Sequence, residues 1–172
     1  MKKENILVVV VILSIVLAGV MIYINSKPQI QADAIQNNEP GLVSNISSIN
    51  WQTYTQGMEL AKTRNKHIFL YFHADWCTYC TKLKKTTFKN KAVLNYLKEN
   101  FISIGVDTDK EKDLGTQWGV RGLPTLWFLK PDNSKISNIP GYIDAKQFLN
   151  ILKYIHTRSY DNMSFQEFVK TL

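Results

Sequence analysis

Cys77 and Cys80 are the only cysteines of the chain, and two residues separate them in the stretch ADWCTYCTKLKKTTF, residues 74–88. Thiols this close permit three kinds of chemistry: binding of a soft metal, a structural staple, or exchange of electrons. As a staple the pair is weak, because so small a closed loop restricts the unfolded chain little. As a metal site it supplies two thiolates and needs further ligands, with His73 the nearest candidate. As a redox pair it needs one sulfur ionised and reachable, and the other close behind it.

The elements that must position the pair suit the third use. Residues 67–74, HIFLYFHA, form a short aliphatic and aromatic run that reads as a buried strand, and the cysteines follow at once. TKLKKTTF, residues 81–88, reads as a helix. A strand running directly into a helix leaves unpaired backbone N–H groups at the junction. A thiolate placed there is stabilised by those donors and by the positive helix end. Cys77 is expected at this junction as the exposed nucleophile. Cys80, about one helical turn further on, is expected behind it as the resolving sulfur. Lys82, Lys84 and Lys85 add positive charge nearby.

Further out, residues 53–66 read as a helix, with Tyr54, Met58 and Ala61 at helical spacing and Leu60 widening the apolar face. Residues 91–101 read as a helix, 101–109 as a second buried strand, and 110–120 as a short helix. Residues 123–143 read as a hairpin turning at Pro131-Asp132-Asn133. Residues 145–157 are amphipathic, with Phe148, Leu149, Leu152 and Ile155 on one side. The last stretch has Ser164 and Glu167 at capping-box spacing, and Phe165, Phe168, Val169 and Leu172 on one prospective apolar face. This order predicts an α/β domain, a mixed sheet covered by helices whose first two strands run parallel.

The N-terminus bears on compartment. Residues 6–24, ILVVVVILSIVLAGVMIYI, are 19 residues without a charge, long enough as a helix (~28 Å) to span a bilayer. The run exceeds the apolar core of a cleaved signal peptide. Lys2 and Lys3 precede it and are expected to stay cytoplasmic, which places the remainder outside, where nearby thiols can cycle between redox states. The expected organisation is a membrane anchor over residues 1–25, a polar flexible linker over 26–50, the α/β domain over 51–158, and a helical extension over 159–172. The formal net charge of +7 comes from dispersed lysines and reads as a solvated basic surface. No nucleic-acid-binding motif accompanies it. With no obvious apolar patch, the domain is expected to be a monomer.

YFHADWCTYC, residues 71–80, taken with GVRGLPTLWFL, residues 119–129, resembles the thioredoxin superfamily. Trp76 before the first cysteine and Gly122-Leu123-Pro124-Thr125 carry the likeness. Within the superfamily, ADWCTYC, KTTF, GLPT and GYIDAKQFL resemble the C-terminal thioredoxin-like domain of the bacterial disulfide reductase DsbD, over residues 51–155. The resemblance implies a thioredoxin fold and a thiol:disulfide oxidoreductase with no cofactor and no metal. It implies a cis Pro124 facing the disulfide, and a Leu123 backbone that pairs with a substrate peptide. The implied partners are disulfide-containing client proteins and a membrane electron donor of the DsbD type at the inner membrane, with the catalytic domain on the periplasmic side. Trp76 either shields the sulfurs or is a core tryptophan. Tyr79 either meets substrate or is an exposed aromatic. Asp75 is a candidate helix cap, and His73 a structural histidine at a strand end.

The chain also departs from the pattern. Thioredoxins bury a carboxylate six residues before the first cysteine, where this chain has Tyr71. The DsbD-like domain has an acid four residues after the second cysteine, where this chain has Lys84. Loss of both negative groups predicts a lower Cys77 pKa and a less reducing couple, which leaves a net oxidase or isomerase open beside a reductase. A thioredoxin-fold copper carrier using Cys77, Cys80 and His73, and a chaperone-like role with inert cysteines, are the alternatives from other classes.

Overall fold

The computed structural model describes residues 48–172. The expected anchor and nearly all of the expected linker lie outside the described residues. Among the described residues no helix is long and apolar enough to cross a membrane.

The chain forms β1 (Trp51–Gln52), α1 (Tyr54–Arg64), β2 (His67–His73), α2 (Thr78–Lys85), α3 (Lys91–Asn100), β3 (Phe101–Asp107), α4 (Lys112–Gln117), β4 (Thr125–Leu129), β5 (Lys135–Pro140), α5 (Ala145–His156) and α6 (Phe165–Val169). Short 3-10 turns stand at Thr87–Lys89 and Ser159–Asp161. The five strands make one sheet in the order β1-β3-β2-β4-β5. β3 runs parallel to β1 and β2, while β4 runs antiparallel to β2 and β5. The mixed sheet and the parallel β2–β3 pair are as expected.

β2 is central, and its side chains alternate between two cores. Phe69 and Tyr71 face a core with Cys77, Cys80, Leu83, Phe128, Phe148 and Leu152. Ile68, Leu70 and Phe72 face the other, with Ala61, Ile104 and Val106. Burial on both faces explains why this strand reads as an unbroken apolar run. On the second face α1 lies close to β3 because Gly57 has no side chain: a Cβ there would stand 2.3 Å from Ile104 Cγ1.

Several boundaries differ from the expectations. Trp51–Gln52 is an edge strand paired with Ser103 and Ile104, and Ile49 before it packs on the core. The helix after the cysteines stops at Lys85, not Phe88. Thr87 is buried and donates its hydroxyl to the Ile143 carbonyl at 2.6 Å, which turns the chain out of helical path. The hairpin turns where expected. Asp132 Oδ1 accepts from the Ser134 N–H at 2.9 Å and the Ser134 hydroxyl at 2.6 Å, and Asn133 takes φ 71°. At the C-terminus the capping box is present, since Glu167 N–H donates to Ser164 Oγ and Ser164 N–H donates to Glu167 Oε2. Its apolar face is smaller than expected. Phe168 is buried and Phe165 half-buried against Tyr154, whereas Val169 and Leu172 are exposed.

Candidate active site

The parallel strands β2 and β3 end side by side, His73 opposite Asp107, and the loops leaving these ends build the site. The four-residue connection after β2 delivers Cys77 to the N-cap of α2, in extended backbone (φ −74°, ψ 107°). Its Sγ accepts the Cys80 N–H at 3.0 Å. Cys77 itself therefore caps the helix, in place of the expected Asp75, which is exposed. The two sulfurs are joined as a disulfide, with Cα atoms 5.2 Å apart. Cys80 is 0% exposed and Cys77 only 4%. The expectation of an exposed Cys77 is thus corrected for the disulfide form: the cap bond and the bond to Cys80 turn its sulfur inward. What little exposure the pair keeps belongs to Cys77.

Trp76 is not a core residue. It is 70% exposed, and its indole N–H donates to Asp109 Oδ1 at 3.3 Å. Tyr79, one helical position before Cys80, is 59% exposed. The Leu123–Pro124 peptide is cis. The hydrogen bonds around it go to its neighbours: Gly122 carbonyl accepts from the Thr125 hydroxyl at 2.7 Å, and Pro124 carbonyl from the Gly141 N–H at 2.7 Å. Leu123 is half-buried. With Val120 and Trp76, the residue before Cys77, it lines an open cleft of about 330 Å³, which Lys112 and Arg121 also line.

On its inner side the disulfide shares a core with Tyr71. Tyr71 is buried on β2, its ring stacked on His73 at 4.9 Å and tilted against Trp51 at 5.5 Å. Among the described residues, Tyr71 Oη and His73 Nδ1 are buried without a hydrogen-bonding partner. Burial pushes the Tyr71 hydroxyl well above its ordinary range, so it is neutral throughout the working pH range. Burial likewise pushes His73 below 6.5. Lys84 and Lys110 act in the same sense, against Asp107 and Asp75. Asp107 is held below the usual carboxylate range, chiefly by its hydrogen bond from Lys110 at 3.0 Å. No ionised group of β2 therefore lies beneath the sulfurs. Lys84 is exposed on α2. Among the described residues no three His, Cys, Asp or Glu side chains gather in a metal-binding group.

Cys77, Cys80, Trp76, Tyr79, Leu123 and Pro124 thus come from one strand–helix junction and one loop before β4. Sequence reasoning missed four participants: Trp51, Asp109 as the partner of Trp76, Lys112 and Arg121. Asp109 carried a signal, an acid just past a strand that ends beside the cysteines. The other three carried none, because their place depends on how distant segments pack.

The thioredoxin-like domain family model matches residues 54–156. A relative, the thiol:disulfide interchange protein DsbD of Photorhabdus laumondii, is 33% identical over 113 residues, covering 62% of this chain and 19% of that protein. The chain spans about a fifth of the length of the curated relatives it matches. Among solved structures, a thioredoxin from Thermus thermophilus superposes with TM-score 0.58 at 25% identity, over 63% of this chain and 87% of that one. The reduced DsbD C-terminal domain of Neisseria meningitidis superposes with TM-score 0.50 at 24% identity, over 59% and 92%, a likeness of fold. The α/β architecture and its paired cysteines are those of a thioredoxin fold, and the chain belongs to the thioredoxin-like domain family.

Proposed function

We propose that the chain is a thiol:disulfide oxidoreductase that reduces disulfides of client proteins, held outside the cytoplasmic membrane as a monomer by residues 1–25. One observation carries the chemistry: Cys77 and Cys80 are already joined at a helix N-cap, with Cys80 fully buried and Cys77, next to the exposed Trp76, keeping the small exposure the pair has.

In the reduced protein the Cys77 thiolate attacks one sulfur of a client disulfide. The client S–S bond breaks, its other sulfur leaves with the electron pair and takes a proton, and a Cys77–client disulfide forms. Cys80 then loses its proton and attacks Cys77 Sγ. The second client thiol leaves, and the Cys77–Cys80 disulfide remains, two electrons having passed to the client. A dithiol donor must return those electrons, and a membrane protein of the DsbD type fits that need. Trp76, Tyr79, Leu123 and Pro124, from the junction that holds Cys77 and the loop before β4, are assigned to substrate contact. The Leu123 backbone pairs with an extended client segment. Relatives named as thiol:disulfide interchange proteins support exchange as the activity.

A Cys80→Ser variant tests this reading. It should accumulate mixed disulfides through Cys77 with both donor and clients, and a Cys77→Ala variant should lose insulin reduction. Failure to exchange with any dithiol or disulfide would refute it. Tyr71 favours a second reading for direction. A neutral hydroxyl replaces the family's carboxylate, which favours the Cys77 thiolate and a less reducing couple, as a net oxidase or isomerase requires. Equilibration with a glutathione redox buffer decides between them.

A further inference from the structure

The cleft that Trp76, the residue before Cys77, helps to line has a chemical character of its own. Its apolar floor is Trp76, Val120 and Leu123, and its two charged lining residues are Lys112 and Arg121. Both cations are exposed, and neither forms an ion pair among the described residues. No carboxylate lines the cleft. Of the acids close to it, two have partners of their own, and Glu111, directly before Lys112, is half-buried at the helix N-cap. Asp109 accepts the Trp76 indole N–H, and Asp107 is paired with Lys110. Asp113 follows Lys112 on α4, but residues one apart on a helix do not share a face. On the other flank of the sulfurs, α2 presents exposed Lys84 and Lys85, and Lys82 lies 4.2 Å from the centre of the Tyr142 ring. Asp75 is the one exposed carboxylate of the turn between β2 and α2.

We propose, on the reading of Cys77 and Cys80 as an exchange pair, that this cleft selects client segments carrying carboxylates close to their disulfide. An extended segment passing Leu123 places alternate side chains on one face. An apolar residue beside the reacting cysteine covers the Trp76 ring, whose exposure leaves a large apolar surface in water. Asp or Glu side chains two positions away, on the same face, reach Lys112 and Arg121. Such rim charges act mainly by steering the encounter and rejecting like-charged partners.

The experiment compares three peptides that share one disulfide loop and differ only in flanking Glu, Gln or Lys residues. The pre-reduced full-length chain reduces each at low ionic strength. Every rate is normalised to the reduction of hydroxyethyl disulfide by the same protein. The Glu peptide should be reduced about fivefold faster than the Lys peptide, and high salt should narrow the gap. Lys112→Gln with Arg121→Gln should erase the preference, and Lys112→Glu with Arg121→Glu should reverse it. Equal normalised rates for the three peptides, or a preference surviving both double variants, would overturn the proposal while leaving the exchange reading intact. A chain that reduces neither hydroxyethyl disulfide nor any peptide would overturn both.

Discussion

Strand β2 carries a histidine at each end, and the two ends have become different places. His67 opens the strand. Its Nε2 lies 3.3 Å from the Tyr160 hydroxyl, and the cleft around it takes Tyr160 from the C-terminal extension and Arg158 from just before it. His73 closes the strand, stacked on Tyr71 with its Nδ1 unpartnered among the described residues, four positions before Cys77. Burial lowers the pKa of both. At the first end, later chain has been added to cover the sheet. At the second, the parallel strands β2 and β3 stop together and their loops remain open. Ligands collect at the carboxyl ends of parallel strands for this reason. The comparison teaches that chemistry sits where the fold leaves loops uncovered, and stability where it adds contacts.

The largest effect should separate the two ends by function. Cys77→Ala should reduce disulfide exchange to the uncatalysed background in an insulin-reduction assay, while His67→Gln leaves the rate unchanged. Next comes stability at the covered end. Phe168→Ala should cost about 3 kcal/mol in urea denaturation, since it deletes a buried ring against Tyr154. The same variant should not move the Cys77–Cys80 reduction potential. A smaller effect probes the open end. Tyr71→Asp should raise the Cys77 pKa by about one unit, worth ~1.4 kcal/mol, read from thiolate absorbance. Tyr71→Phe should leave that pKa in place, because the hydroxyl it removes is uncharged.

The smallest effect joins both ends through pH. His67 and His73 have folded pKa values below 6.5. Below that pH the unfolded chain binds more protons than the folded one, so stability rises with pH. The full stability contribution is therefore present above pH 6.5 and is lost as pH falls toward the folded values. His73→Gln and His67→Gln should each flatten the fall of Tm on acidification. An unchanged slope in both variants would break the comparison at its root.

Much of this was legible in the chain. The apolar runs of β2 and β3 and the amphipathic spacing of α5 are local signals, and each element formed where its pattern lay. The edge strand β1 was not legible, because two residues carry no period and Ser103, the partner of Trp51, lies 52 positions on. The end of α2 was missed because Thr87 is anchored to Ile143, a contact from beyond β5. Sequence left Trp76 either in the core or beside the sulfurs. Its placement depends on Asp109, which reaches it only because β2 and β3 are neighbours.

The amino-acid sequence alone determined that two thiols stand one helical turn apart at the exit of a buried strand, because turn length and side-chain alternation are properties of the local backbone. Tertiary structure alone decided that Cys77 keeps 4% of its surface and Cys80 none, that a neutral Tyr71 shares their core, and that Lys112 and Arg121 line one cleft with Trp76. Exposure and local field are sums over segments far apart in sequence, and they acquire values only once those segments have packed.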